Sequence, residues 1–196
     1  SNFSLSDLIT EISNKNTDDS IELVYSVTNS RGIIPESEKS RTIDSSSDKS
    51  NYKIIRKFDF GFNPSRINVG SIGMQKRDEV GVVSPIYDVF SVDKEIVNPY
   101  YFEYYLLSNI FKNNVKRYFL NAVRPKLDFE DLKLFPISIV HSGNLDENAE
   151  LQNRELLHIE KTIDLKKSKI ELHKSAIILL EKEKEIIMNR IFGDNK

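Results

Sequence analysis

Ala149-Glu-Leu-Gln-Asn-Arg-Glu-Leu-Leu-His-Ile-Glu-Lys-Thr-Ile163 opens a run that reaches Phe192 without a glycine or proline, 44 residues in all. Such a run predicts one continuous α-helix, roughly 66 Å long at 1.5 Å per residue. Leu156, Ile159, Ile163, Lys166, Ile170, His173, Ile177, Leu180, Lys184, Ile187 and Ile191 follow one another in alternating steps of three and four, and eight of these eleven are apolar. That spacing is a coiled-coil seam with polar interruptions. A second stripe, Leu165, Leu172, Leu179 and Ile186, repeats every seven residues. Leu172 stands about 160° around the axis from Ile170. Two nearly opposite apolar stripes cannot both be covered by one partner helix, so the helix is expected to lie between two neighbours. A two-helix hairpin within one domain would need a second long helix, which the rest of the chain does not offer.

Upstream of the helix the pattern changes. Residues 141–148, His-Ser-Gly-Asn-Leu-Asp-Glu-Asn, read as a linker, and residues 1–140 as a separate head. Within the head, Ser4 ahead of Leu5, Leu8, Ile9 and Ile12 predicts a short capped amphipathic helix. Ile21–Thr28, Tyr52–Phe62, Ile67–Gly73 and Gly81–Val92 have the density of β-strands. The polar stretch 36–51 predicts a long loop, and Asn63-Pro-Ser-Arg66 a turn. Pro99–Phe119 has aromatic and aliphatic residues at helical spacing, and Leu127–Leu134 predicts a short helix. The expected class is α+β: a mixed α/β head on residues 1–140, a linker on 141–148, and one long coiled-coil-forming helix on 149–192.

With 196 residues, 39% of them hydrophobic, the chain has material for one domain with an appendage. No apolar run approaches a membrane span. No signal-peptide pattern opens the chain. Cysteine is absent, which excludes disulfides, thiol catalysis and thiolate metal sites and suits a cytoplasmic protein. The net charge of −2 hides strong blocks: residues 51–77 carry +5 and 104–127 another +5, while 78–103 carry −5. Two compact basic blocks can converge on a phosphate-facing surface, or they can be solvated faces paired with the acidic blocks.

Catalytic signatures are missing. His158 and His173 are fifteen residues apart on the long helix, about four turns, and cannot share a metal. The third histidine is His141. Val69-Gly-Ser-Ile-Gly73 lacks the further glycine or lysine of a phosphate loop. Asn63-Pro64 faintly resembles the motif of adenine N6-methyltransferases, but Ser65 and Arg66 follow it where a base-stacking aromatic would be needed. The chain reads as non-catalytic, with no cofactor and no metal expected.

Tyr25-Ser-Val-Thr-Asn-Ser-Arg-Gly-Ile-Ile-Pro35, Phe58-Asp-Phe-Gly-Phe-Asn-Pro-Ser-Arg-Ile-Asn-Val-Gly-Ser-Ile-Gly73, Gly81-Val-Val-Ser-Pro-Ile-Tyr-Asp-Val-Phe90 and Val123-Arg-Pro-Lys-Leu-Asp-Phe-Glu-Asp-Leu132 occur in that order. Together they resemble the target recognition domain of type I restriction–modification specificity subunits. One departure is the link before the helix, where this chain has Ser138-Ile-Val-His-Ser-Gly-Asn in place of a Pro-rich segment with a Glu-Gln pair. The resemblance implies a non-catalytic, cytoplasmic DNA-reading subunit. It implies half of a specificity subunit, one domain and one helix, that reads one half of a bipartite double-stranded DNA target. It also implies a homodimer, or pairing with a second half-subunit, through one helix stripe and docking of methyltransferase (modification) subunits on the other. A restriction (endonuclease/translocase) subunit would complete the assembly. Base and phosphate contacts need Arg, Lys, Asn, Gln or Ser. The expected DNA-contacting residues are Asn29, Ser30, Arg31, Asn63, Ser65, Arg66, Asn68, Ser71, Gln75, Lys76, Arg77, Arg117, Arg124 and Lys126, with Asn63–Arg66 open to a purely structural reading as a turn. A competing reading is an interaction module that binds methyltransferase subunits without sequence readout.

Overall fold

Short apolar triplets separated by turns build the head. The computed structural model describes residues 2–39, 48–121, 126–139 and 145–192. In chain order the elements are β1 (Asn2–Ser4), β2 (Ile9–Glu11), β3 (Val24–Val27), β4 (Ile33–Pro35), β5 (Lys53–Ile55), β6 (Phe60–Phe62), β7 (Ile72–Met74), β8 (Gly81–Val83) and β9 (Asp88–Val92). There follow α1 (Pro99–Leu107), α2 (Asn109–Asn121), α3 (Phe129–Lys133), β10 (Pro136–Ser138) and α4 (Leu145–Phe192). The α+β class expected from the sequence is what the chain adopts.

Two four-stranded sheets stack in the head, one in the order β2-β9-β6-β7 and the other β4-β3-β8-β5, while β1 and β10 pair apart. All pairings are antiparallel except β3 with β8. The alternation along β9 shows how the layers form. Phe90 and Val92 point into one core, with Phe60, Phe62, Phe102 and Phe129 from β6, α1 and α3. Val89 points the other way, into a second core with Tyr25, Val27, Ile33, Ile55 and Val83. A period of two on a sheet covered on both faces gives this split. Gly61 lies between Phe60 and Phe62 on the face toward the second sheet. A Cβ there would meet Ile33 Cδ1 at 3.3 Å and Val27 Cγ2 at 3.5 Å, so the absent side chain lets the sheets close. The head is thus three layers: helices, the β2-β9-β6-β7 sheet, and the β4-β3-β8-β5 sheet.

Several local expectations are corrected. Residues 3–12 form β1, a 3-10 turn (Leu5–Asp7) and β2 instead of a helix. Distant partners decide it: β1 pairs with β10, Leu5 N donates to Phe135 O at 2.9 Å, and Ser4 Oγ donates to Lys133 O at 2.7 Å. So short a helix is marginal by itself, and these tertiary bonds prevail. Tyr52–Phe62 is split into β5 and β6 by a turn in which Phe58 takes φ +74° and the Asp59 carboxylate accepts from Arg56 N at 2.7 Å. Ile67–Val69 is a 3-10 turn, ended by Gly70 at φ +92°, and only Ile72–Met74 is a strand. A Cβ on Gly70 would lie 2.8 Å from Asn29 O, so glycine is required there on two grounds. The single helix expected over Pro99–Phe119 is two, because Ser108 is extended and its Oγ accepts from Phe111 N at 3.2 Å, capping α2.

α4 begins at Leu145, four residues before the expected start. Its first turns carry Asn148 and Gln152 at i, i+4 on one buried face. Gln152 Nε2 donates to Ile96 O at 2.8 Å and its Oε1 accepts from Asn98 N at 2.7 Å. The chain divides into two compact units between Asn153 and Arg154, inside this helix. In the second unit every residue from Asp164 to Arg190 is exposed.

Candidate nucleic-acid interface

Nine of the fourteen expected contact residues line two clefts beside the loop 63–70. On one side a cleft of about 620 Å³ is bounded by the β3–β4 turn, the 3-10 turn, β7, α1 and α2. It brings Asn29, Ser30 and Arg31 together with Asn68, Lys76, Glu103 and Lys112. On the other side a cleft of about 430 Å³ holds Asn63, Ser65, Arg66 and Lys126 beside Pro85, Ile86 and Asp88. Far apart in sequence, Asn29–Arg31 and Asn63–Asn68 share this edge because the start of β4 lies against β7, close enough that a Cβ on Gly73 would lie 2.8 Å from Gly32 Cα.

Each turn is held by its own side chains. Thr28 Oγ1 donates to Gly32 O at 2.8 Å and accepts from Arg31 N at 3.0 Å, closing the β3–β4 turn around Gly32 at φ +66°. Asn29, Ser30 and Arg31 are left exposed at its tip. Asn63 Oδ1 accepts from Ser65 N at 3.0 Å, and Arg66 N donates to Asn63 O at 2.9 Å. Asn63 therefore serves the turn, while Ser65, Arg66 and Asn68 face solvent.

Two expected residues point inward. Ser71 and Gln75 are buried at 1% and 0% exposure. Gln75 Nε2 donates to Glu79 O at 2.9 Å and its Oε1 accepts from Arg77 N. These two assignments are corrected: their polar groups are spent inside the head, away from any base edge.

The basic block 51–77 is largely neutralised. Lys53 pairs with Asp88 at 3.2 Å, Lys57 with Asp78 at 2.6 Å, Lys76 with Glu103 at 2.8 Å, and Arg77 with Glu38. Arg66 has no ion pair among the described residues and stays exposed. Arg117 is exposed on α2, and Lys126 is exposed beside the second cleft. Arg124 and His141 lie outside the described residues, as does the side chain of Ile191 on the helix seam. Lys112, which the sequence reading does not name as a contact, lines the first cleft; it lies in the acid-free stretch 104–127 at helical spacing from Lys116. No group of His, Cys, Asp or Glu among the described residues could hold a metal ion.

Tyr118 ties this edge together. Its hydroxyl donates to Asp131 Oδ2 at 2.6 Å and lies 3.1 Å from Lys126 O, fastening α2 to the segment that carries Lys126. The bond to Asp131, with some help from burial, pushes the phenol up to about 12. A tyrosine whose pKa is raised on folding contributes stability that is whole below its unfolded pKa of about 10 and is lost as pH climbs through the folded value. Tyr118→Phe is expected to lower stability by about 1 kcal/mol near pH 8, a modest figure because solvent reaches the pair. Denaturant melts of both proteins should show this gap closing between pH 10 and 12. A gap that persists at pH 12 would dissociate it from the Tyr118–Asp131 bond.

Of the helix residues expected at interfaces, Leu156 is buried and Ile159 and Ile163 are half-buried. Ile170, Ile177, Leu180 and Ile187 of the seam are 53–62% exposed, and Leu165, Leu172, Leu179 and Ile186 of the second stripe are 59–72% exposed. His173 is exposed between them. No helix among the described residues is long and apolar enough to cross a membrane.

No protein-family model matches this chain, and no curated protein does. Solved structures do. The HsdS subunit from Thermoanaerobacter tengcongensis superposes with a TM-score of 0.63 at 16% identity, over 93% of this chain and 47% of that one. A chain from a structure of complex assembly and conformational transition in the type I R-M system superposes with a TM-score of 0.68 at 14% identity, over 95% of this chain and 49% of that one. The likeness is one of fold, and the present chain spans about half the length of each.

Proposed function

We propose that this chain is a non-catalytic DNA sequence-specificity subunit of a type I restriction–modification complex. In this reading the head, residues 1–140, reads one half of a bipartite duplex target. The segment 141–148 links it to the long helix, whose residues 149–192 pair with a second half-subunit and dock methyltransferase subunits. The observation that carries the reading is the shared fold: head and helix together, over 93% of the chain, match an HsdS subunit. The exposed tips around the 63–70 loop support a DNA-facing edge, and the two exposed helix stripes support protein partners. Methyl transfer and cleavage then belong to the modification and restriction subunits, in the cytoplasm where the host DNA lies.

The reading is tested by co-expressing the chain with its modification subunits and mapping adenine methylation in the host genome. A symmetric interrupted motif, appearing only when this chain is present, is the expected result. Methylation that is unchanged by deleting the chain would overturn it. Within an active complex, Arg66→Ala is expected to weaken binding to the mapped duplex by about 1–3 kcal/mol, the worth of a good bidentate base contact. Arg77→Ala should cost much less, because Arg77 is already paired with Glu38. Equal losses for both, or none for Arg66, would count against this placement. The paired cations of residues 51–77 also suit a module that binds modification subunits without reading DNA; such a module would return no methylation motif and no preference between duplexes.

A further inference from the structure

We infer that α2 is the element of the head that lies along a groove of duplex DNA, with Lys112, Lys116 and Arg117 on phosphates and Asn113 toward the base edges. The inference rests on the DNA-reading function proposed above and goes beyond it by assigning the principal contact to one helix.

α2 divides into a buried and an exposed face. Phe111 and Val115 are buried, and Tyr118 and Phe119 are half-buried, so this side is committed to the core. Asn109, Lys112, Asn113, Lys116, Arg117 and Leu120 are all exposed. At about 100° per residue, Asn109, Leu120 and Asn113 fall along the midline of the exposed face. Lys112 and Lys116 fall on one flank of that midline, and Arg117, with the exposed Ile110, on the other. A helix entering the major groove needs this layout, cations on the flanks where the phosphates run and hydrogen-bonding groups between them. Asparagine can bond an adenine edge at two atoms, and an exposed leucine can meet a thymine methyl. The helix, about 10–12 Å across with its side chains, fits a groove about 12 Å wide.

Charge also sets α2 apart. Both basic blocks carry +5, yet they differ in what their charges do. Lys53, Lys57, Lys76 and Arg77 are each paired with a carboxylate of the head. Lys112, Lys116 and Arg117 have no ion pair among the described residues, and no acidic residue occurs from 104 to 127. A cation already paired within the fold must give up its partner before it can meet a phosphate; an unpaired one releases a DNA counterion at no such cost. Arg56, Arg66 and Lys126 are also without an ion pair among the described residues, but α2 alone gathers three unpaired cations within six residues. Lys112 also lines the same cleft as Asn29, Arg31 and Asn68. A duplex against α2 would also meet those tips.

The test measures binding of the full chain, assembled with its modification subunits, to two fluorescein-labelled 40-base-pair duplexes. One carries the motif recovered by methylation mapping and the other is of mixed sequence, and both are titrated between 50 and 300 mM salt. For K112Q/K116Q/R117Q the slope of log K against log salt is expected to fall by about 3, near 0.9 for each phosphate that the variant no longer neutralises. Affinity for both duplexes should drop at least tenfold at 100 mM salt. The control K57Q/K133Q, whose lysines are each paired with a carboxylate and line neither cleft, should leave the slope within about 0.5 of the parent. N113A should keep the slope but reduce the preference for the motif duplex about tenfold. None of these substituted side chains is buried, so thermal melts should match the parent and exclude misfolding as the cause. An unchanged slope in the α2 variant, or an equal fall in the control, overturns the assignment to α2 while leaving the DNA-reading function standing. A parent complex that binds neither duplex overturns that function itself.

Discussion

Phe90→Ala should lower the thermal midpoint of the head by roughly 10 °C or more and weaken its near-ultraviolet aromatic signal. Phe90 is fully buried on β9, a strand hydrogen-bonded on both sides, to β2 and to β6. Its ring stacks on Phe60 at 5.3 Å and lies 6.0–6.2 Å from Phe62, Phe102 and Phe129. It therefore joins the sheet to α1 and to α3 at once. Truncating a buried phenylalanine costs about 3–5 kcal/mol through lost transfer energy and the cavity left behind. Ring pairs add about 0.5–1.5 kcal/mol each, although four pairs around one ring are not additive. Set against a total stability of about 5–15 kcal/mol, a loss of this size removes roughly a fifth or more of the folded state's margin. Calorimetry of the two proteins side by side decides it. A shift of less than about 3 °C would mean that the β2-β9-β6-β7 sheet does not depend on this ring for its packing against α1 and α3.

How far the sequence can be read depends on the distance over which each decision is made. The long helix is legible because its causes are local: no glycine or proline from Ala149 to Phe192, and a seam that repeats every three and four residues. Strand density around Phe60 and Phe90 is legible for the same reason. Residues 3–12 are not, since the helical spacing of Leu5, Leu8, Ile9 and Ile12 is indistinguishable from that of β1 and β2 until β10, over 120 residues away, supplies hydrogen bonds. The break at Ser108 has a signal, a serine three residues before Phe111, but within an aromatic-rich run the cap is masked by the continuous period. The site shows the same limit. Charge blocks are visible in a sequence; pairing is not, because Arg77 finds Glu38 and Lys76 finds Glu103 across 39 and 27 residues. Counting charge makes the two basic blocks equal, whereas the fold neutralises most of one and leaves the helical part of the other open. Gln75 and Ser71 have the right chemistry for DNA and the wrong orientation, which only β7 and its neighbours determine.

The other large effect concerns the helix. Ile170→Lys/Ile177→Lys should convert a self-associated chain to a monomer, with a dissociation constant raised at least a hundredfold, while Leu172→Lys/Leu179→Lys should leave self-association intact and abolish capture of the modification subunits. The premise is that Ile170, Leu172, Ile177 and Leu179 are 53%, 68%, 56% and 61% exposed, two on each of two nearly opposite stripes. Fully burying a leucine or isoleucine is worth about 1.5–3 kcal/mol, so a stripe of four or more holds enough apolar surface to drive association after ordering costs. A lysine pair one heptad apart on the seam, on either side of His173, puts charge into the apolar contact of both helices of a symmetric pair. Lys166, His173 and Lys184 already interrupt the seam, so its remaining isoleucines carry a larger share of the association and the loss from two of them is correspondingly steep. Light scattering after gel filtration reads the first variant, and co-purification with tagged modification subunits reads the second. The two stripes are the discriminating feature. If both double variants lose the same property, one face serves one partner and the division of the helix between two neighbours is wrong. If neither changes oligomeric state or capture, the exposed leucines and isoleucines have another occupant, and the helix is not the joint on which the complex is assembled.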